Sequence, residues 1–425
     1  MTADLVTHLF LLALGLSVLV RLWLNQRQII AVSAHRERVP EPFAAQISLA
    51  AHQKAADYTL AKARLRRWTT LFNAAVLLAW TLGGGLQSAH AWMSGWTSAP
   101  IALGVGTVFL VGIVTWSLEL PFSLYHTFVI ENRFGFNRIT GSLFIQDTLK
   151  GAVVAAVIGA PLVAAVLWVM LGTGEAWWLY AWALWFGFSL LLSWLFPTVI
   201  APLFNRFSPL QDATLKDAIE ALLTRSGFTS KGVYVMDGSR RSSHGNAYFT
   251  GLGKHKRIVF FDTLLNSLSQ PQILAVLAHE LGHFKHRHIL KGLTVSAASG
   301  LLFFAVLAWL MPQPAFFAGL GVRTPSVDLA LLLFVLVAPV FMYFFQPLFA
   351  RWSRRHEFEA DHYAATHSDP RELALALVRL YRDNASTLTP DRLHSAFYDS
   401  HPPAIERIRQ LGVNVATIPL RSKEL

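Results

Sequence analysis

The sequence predicts a mainly α, polytopic membrane protein with about seven transmembrane helices and a small cytosolic α+β domain. Three observations lead there. Of the 425 residues, 54% are hydrophobic and only 14% are charged, whereas soluble chains are about one-quarter charged. Seven apolar stretches, 4–24, 69–93, 101–125, 150–171, 177–200, 289–311 and 328–350, reach the roughly 20 residues that a helix needs to cross a bilayer. Lys and Arg then concentrate in every second connection, the asymmetry expected of cytoplasmic loops.

The first stretch reads as an anchor, because "MTADL" ahead of it has no basic residue and no small-residue cleavage site follows. Positive charge gathers behind it, at Arg27, Arg36, Arg38, Lys54, Lys62, Arg64, Arg66 and Arg67, which places the N-terminus outside. Segments 94–100, 172–176 and 312–327 carry almost no Lys or Arg, whereas 126–149, 201–288 and the chain after 351 carry several. All basic segments therefore fall on one side of a seven-span count. Pro121 and Pro197 blur the ends of the third and fifth spans.

Residues 1–200 read as an N-terminal membrane region with five spans, and 201–425 as a second domain that includes the spans at 289–311 and 328–350. Segment 25–68 is expected to be helical and cytosolic, since "AHQKAADYTLAKARLRRW" repeats helix formers up to the second span. In the second domain, "DATLKDAIEALLTRSGF" reads as an amphipathic helix and "GVYVMDG" as a short strand. "NAYFTGLGKHKRIVFFDTLL" reads as two strands joined by a Gly-containing turn. The net charge of +11 suits anionic lipid head groups beside a bilayer, and no nucleic acid partner is expected. With no cysteine there is no disulfide, thiolate metal site or cysteine nucleophile.

The chemistry collects at "LAHELGHFKHRH", Leu277 to His288. On a helix, His279 and His283 share a face, and His-Glu-x-x-His is the arrangement of a zinc site with Glu280 as its base. A catalytic zinc takes a third protein ligand and keeps an open position. Spans six and seven form a hairpin whose open ends lie together, so "RWSRRHEFEADHYA" returns to the depth of the histidines. Glu357 is the expected third ligand, with Glu359 its local rival. His286, His288, His356 and His362 stay outside the metal shell. Asp361 shares a helical face with Glu357, where a carboxylate can accept the N–H of a ligating imidazole.

Taken together, "LAHELGH", "EFEAD", "SSHGNAYFTG" with "KRIVFFDTLL", and "SHPPAIERI" resemble, in order and spacing, the type I CaaX prenyl endopeptidases. These are integral-membrane zinc metalloproteases of the gluzincin kind, and the resemblance extends over the whole chain. It implies one Zn2+ per chain held by His279, His283 and Glu357, with Glu280 as base and Asp361 supporting a ligand. By the same resemblance, Asn246 and Ala247 line the cleft and hold substrate backbone, while His401 and Arg407 bind or polarise the scissile carbonyl. His356 departs from the expected residue type beside the ligand. The implied partners are the lipid bilayer and a peptide or protein substrate, prenylated or membrane-associated.

The implied membrane is a bacterial inner membrane or the endoplasmic reticulum, with the site on the cytoplasmic side. Two other readings compete with CaaX processing. One is membrane-protein quality control without prenyl dependence. The other is a transport or scaffold protein with a structural zinc, for which His286 or His362 would supply a fourth ligand and Glu280 would be superfluous. A site-2-type intramembrane protease places its motif within a span and uses Asp as the later ligand, unlike this chain.

Overall fold

A computed structural model describes residues 1–250 and 255–418. The chain opens with α1 (Ala3–Ala34), started by Thr2, whose hydroxyl accepts from Leu5 N–H. It continues through α2 (Leu49–Trp80), α3 (Gly85–Ser94), α4 (Pro100–Leu124), α5 (Gly141–Gly172), α6 (Trp177–Leu195) and the short α7 (Ala201–Phe204). Among the described residues, six helices are long and apolar enough to cross a membrane, or seven if the bent pair α2–α3 counts as one span. Phe10, Leu167, Ala181, Leu307, Leu329 and Leu333 are buried where these helices meet.

Three features depart from straight spans. The second breaks between Trp80 and Gly85 with a 52° bend. Gly83, Gly84 and Gly85 follow one another there, and Gly84 adopts φ 76°, a left-handed conformation that glycine takes without steric cost. The fourth helix passes Pro121 into the π-helical Tyr125–Glu131, and the sixth passes through Pro197 in the π-helical Phe196–Ile200. Segment 25–68 is not a separate helix. Its ends are the continuations of α1 and α2, joined through the turn Glu41–Phe43. Ion pairing ties this layer down, with Arg36 on Asp57 at 2.8 Å and Arg27 on Asp391 at 2.9 Å.

The second half begins with β1 (Phe207–Pro209), α8 (Ala213–Arg225), β2 (Thr229–Met236), β3 (Ala247–Thr250) and β4 (His255–Phe261). The four strands form one sheet in the order β1-β2-β4-β3, with β2 and β4 parallel and β3 antiparallel to β4. This leaves β3 at an edge. The turn expected between β3 and β4 lies outside the described residues. After α9 (Asp262–Ser267), the motif helix α10 (Gln270–Lys285) opens with a capping box between Ser269 and Gln272 and with Pro271 in its first turn, where a missing N–H costs nothing.

The hairpin α11 (His288–Leu310) and α13 (Val327–Met342), linked through α12 (Pro314–Ala318), returns the chain to α14 (Gln346–His367). The remaining helices are α15 (Pro370–Asp383), α16 (Arg392–Tyr398) and α17 (Ala404–Gln410). A second core, with Ile219, Leu222, Ile258, Phe260, Leu277, Leu281 and Ala364 buried, joins α8, the sheet, α10 and α14.

Candidate metal centre

Helix α10 presents one face to α14, and this contact builds the site. Gly282 makes the close approach possible: a Cβ there would lie 2.8 Å from Ala360 Cα and 3.0 Å from Tyr363 Cβ. Gly282→Ala therefore pushes the two helices apart. We expect it to cost about 1–3 kcal/mol in stability, as overpacking does, and to weaken metal retention against a competing chelator. Unchanged metal affinity would show that the helix spacing does not set the ligand geometry.

Across this contact His279 Nε2 and His283 Nε2 are 3.2 Å apart. Glu357 completes a triangle, with Oε2 3.5 Å from His279 Nε2 and Oε1 3.4 Å from His283 Nε2. A tetrahedral ion with bonds of about 2.0–2.1 Å separates its ligand atoms by roughly 3.3–3.4 Å. These edges match. Glu357 Oε2 is buried without a hydrogen bond, a costly state for a carboxylate oxygen unless a cation compensates it. Among the described residues these three side chains form the one group able to hold a metal. No fourth protein ligand belongs to it, so a closed structural site finds no support.

Both imidazoles have outer partners that orient them. His279 Nδ1 lies 2.8 Å from Asp361 Oδ1, which makes Nδ1 the protonated nitrogen and turns Nε2 toward the triangle. Burial disfavours the charged ring, but hydrogen bonds to Asp361 and Glu357 outweigh it and lift the His279 pKa to about 9. Arg407 grips Asp361 from the other side, with Nε to Oδ2 at 2.7 Å and Nη2 to Oδ1 at 2.6 Å. Its Nη1 is 3.6 Å from Glu357 Oε2.

The second relay includes a residue that sequence reasoning left aside. His283 Nδ1 lies 2.9 Å from His288 Nδ1, and His288 Nε2 lies 2.9 Å from Glu359 Oε2. Glu359 accepts from His288 Nε2–H, so His288 Nδ1 is free to accept from His283, and His283 Nε2 again faces the triangle. Glu359 is thereby tied to His288 and lies outside the ligand group. Arg287, between the two helices, holds φ 55° to bring His288 back, a conformation that costs a non-glycine residue of order 1 kcal/mol. His356 stacks on His288 at 3.9 Å. The only sequence signal for this relay was the density of histidines after His283.

A cleft of about 360 Å³ opens beside the triangle, lined among others by Asn246, Ala247, Glu280, Glu357, His401 and Arg407. Glu280 is half-buried, next to a ligand but outside the triangle. Ala247 begins the edge strand opposite Phe260. Asn246 extends that ladder, its carbonyl accepting from Phe261 N–H at 3.0 Å. His401 is mostly exposed, with Nε2 3.5 Å from Glu357 Oε1. All nine residues singled out from the sequence thus lie at one place: eight line the cleft or the triangle, and Asp361 stands behind His279. Sequence reasoning missed Asn384, whose Oδ1 accepts from Gly245 N–H at 3.1 Å and lies 3.2 Å from His244 Nδ1.

Residues 28–206 match the family described as CAAX prenyl protease N-terminal, five membrane helices, and residues 209–414 match Peptidase family M48. The chain is 39% identical to a CAAX prenyl protease 1 homolog of Arabidopsis thaliana over 71% of this chain and 72% of the relative. The chain belongs to this peptidase family. A Homo sapiens CAAX prenyl protease 1 homolog is 32% identical over 91% of this chain and 90% of its own length. The crystal structure of S. mikatae Ste24p superposes with a TM-score of 0.88 at 30% identity, covering 97% of this chain and 99% of that one. The protein is accordingly an integral, multi-pass membrane metalloendopeptidase that acts on peptide or protein substrates, and its family implies a metal.

Proposed function

We propose that this metallopeptidase uses zinc to trim lipidated, CaaX-type C-termini at the cytoplasmic face of its membrane, with its N-terminus outside. The membrane is the inner membrane of a bacterium or the endoplasmic reticulum of a eukaryote. The supporting observation is the ligand-spaced triangle of His279, His283 and Glu357, which shares a cleft with Glu280 and a free strand edge. Two nitrogens and one carboxylate oxygen suit zinc in a catalytic site. Residues 1–200 form the membrane region, and 201–425 form the peptidase domain with its own two spans.

A bound zinc supplies Lewis acidity at this position, polarising a carbonyl and making water acidic near neutral pH. The Glu280 carboxylate takes the proton of the attacking water and returns it to the departing amine. Asn246 and Ala247 hold an extended substrate by main-chain hydrogen bonds along the edge of β3, a mode that reads backbone more than side chain. His401, exposed at the cleft mouth, donates to the scissile carbonyl. Asp361 and Arg407 fix His279, and the Arg407 Nη1 facing Glu357 lies on the side where carbonyl charge develops.

The test compares a farnesylated peptide with its unmodified twin in detergent, with chelator and zinc add-back in parallel. We expect cleavage of the lipidated peptide that chelation abolishes and zinc restores. Equal cleavage of both peptides would transfer the reading to quality control without prenyl dependence. Hydrolysis that persists after metal removal would refute the metal's role.

A further inference from the structure

Beside the catalytic cleft lies a second cavity of about 390 Å³, and Tyr381, Ser386 and His401 line both. Its walls come from the N-terminal membrane region as well as from the peptidase domain: Asn25, Lys62 and Arg66 face His394 and Asp399. Elsewhere several inward-facing arginines are matched with carboxylates, Arg27 with Asp391, Arg36 with Asp57, Arg241 with Asp147 and Arg407 with Asp361. Lys62 and Arg66 have no carboxylate within ion-pair distance among the described residues, and the carboxylates that act on them from further off are Glu131, bonded to Tyr58 beside Lys62, and Asp399. The Lys62 ammonium rests on the Tyr58 ring at 3.8 Å, and Arg66 Nη1 approaches the His394 ring at 3.4 Å.

His394 is 7% exposed, and its Nδ1 has no hydrogen-bond partner. Asn25 Oδ1 is likewise buried and unpartnered. Buried polar atoms are seldom left so unless something else satisfies them. Asp399 is the single acidic side chain on the wall, so the two cations outnumber it.

The edge strand gives this cavity a direction. A chain paired antiparallel to β3 runs its C-terminal end past Asn246 and Gly245, toward Asn384 and the shared Ser386. A parallel chain would send that end toward Thr250, at the other end of the strand. In a CaaX tail the free carboxylate stands three residues past the cysteine, a span of roughly 10 Å in extended conformation. An antiparallel substrate cut after that cysteine carries its terminal carboxylate out of the cleft on the cavity side.

We infer that Lys62, with Arg66 beside it, binds the free α-carboxylate of the substrate's C-terminus in this side cavity. Buried Asn25 Oδ1 accepts a backbone N–H of the same tail, and His394 Nδ1 gains a partner. The N-terminal membrane region thereby takes part in choosing the cleavage position, by measuring distance from the chain end. This rests on the C-terminal trimming reading above.

The test uses two farnesylated peptides that differ only at the last group, a free acid against a carboxamide, cleaved by the wild type, Lys62→Met and Arg66→Gln in neutral detergent. The wild type is expected to favour the acid in kcat/KM by roughly tenfold to a hundredfold, the range of a charge-assisted hydrogen bond. Lys62→Met brings that ratio close to one by slowing the acid and sparing the amide, and Arg66→Gln reduces it in part. Because each ratio is taken within one preparation, partial misfolding cancels. Equal rates for acid and amide in the wild type, or an undiminished ratio in Lys62→Met, would overturn the inference while leaving C-terminal trimming intact. If the wild type cleaves neither peptide but does hydrolyse an unlipidated protein, the trimming reading falls and this inference with it.

Discussion

Replacing Glu280 by Gln is expected to lower kcat by about 10²–10⁴-fold, the range that a positioned general base contributes, while one metal ion per chain remains bound. The amide keeps the shape of the carboxylate but cannot accept the proton of the attacking water. The ligand geometry should survive, because Glu280 is not a corner of the triangle formed by His279, His283 and Glu357. Their outer partners, Asp361 and His288, are also untouched. Single-turnover hydrolysis together with metal analysis of the purified variant measures both quantities. Turnover at the wild-type rate would rule out Glu280 as the base. Loss of metal together with activity would assign it a structural part in the centre.

Arg407→Met is expected to be among the most destabilising single substitutions in the second half of the chain. Arg407 is 6% exposed and makes two hydrogen bonds to Asp361, which is itself 1% exposed. Removing one partner of a buried ion pair leaves the other charge uncompensated, at a cost of about 3–5 kcal/mol. Here Glu357 also loses a cation 3.6 Å away. Thermal unfolding in detergent should show a clear fall in the midpoint. Arg407→Lys should recover only part of it, since an ammonium cannot reproduce the paired Nε and Nη2 contacts. An unchanged midpoint with lost activity would instead make Arg407 chiefly a substrate-facing group, the role implied by the motif "HPPAIER".

The comparison of these two residues shows how far the sequence reached. Glu280 stands out in the sequence because a carboxylate beside two histidines at helical spacing has a chemical meaning independent of the rest of the fold. Arg407 was legible only through resemblance, which placed it at the scissile carbonyl. Its grip on Asp361 depends on how α17 meets α14, and nothing local in "AIERIRQ" specifies that docking. His288 is clearer still. The sequence leaves it outside the metal shell, where it stays, but the left-handed Arg287 folds it back onto His283.

Composition and periodicity by themselves determined the membrane class and the strand pair around "NAYFTG", and they pointed to His and carboxylate side chains as the expected ligands, because those properties follow from each residue's own chemistry and its near neighbours. The tertiary structure decided the rest. Three successive glycines bend the second span, but the angle comes from packing. The parallel pairing of β2 with β4, which leaves β3 at the edge, joins segments about 25 residues apart. The cavity shared by Lys62, His394 and His401 brings together residues more than 300 positions apart. Contacts at such separation depend on how whole helices dock, and a local pattern carries no record of that.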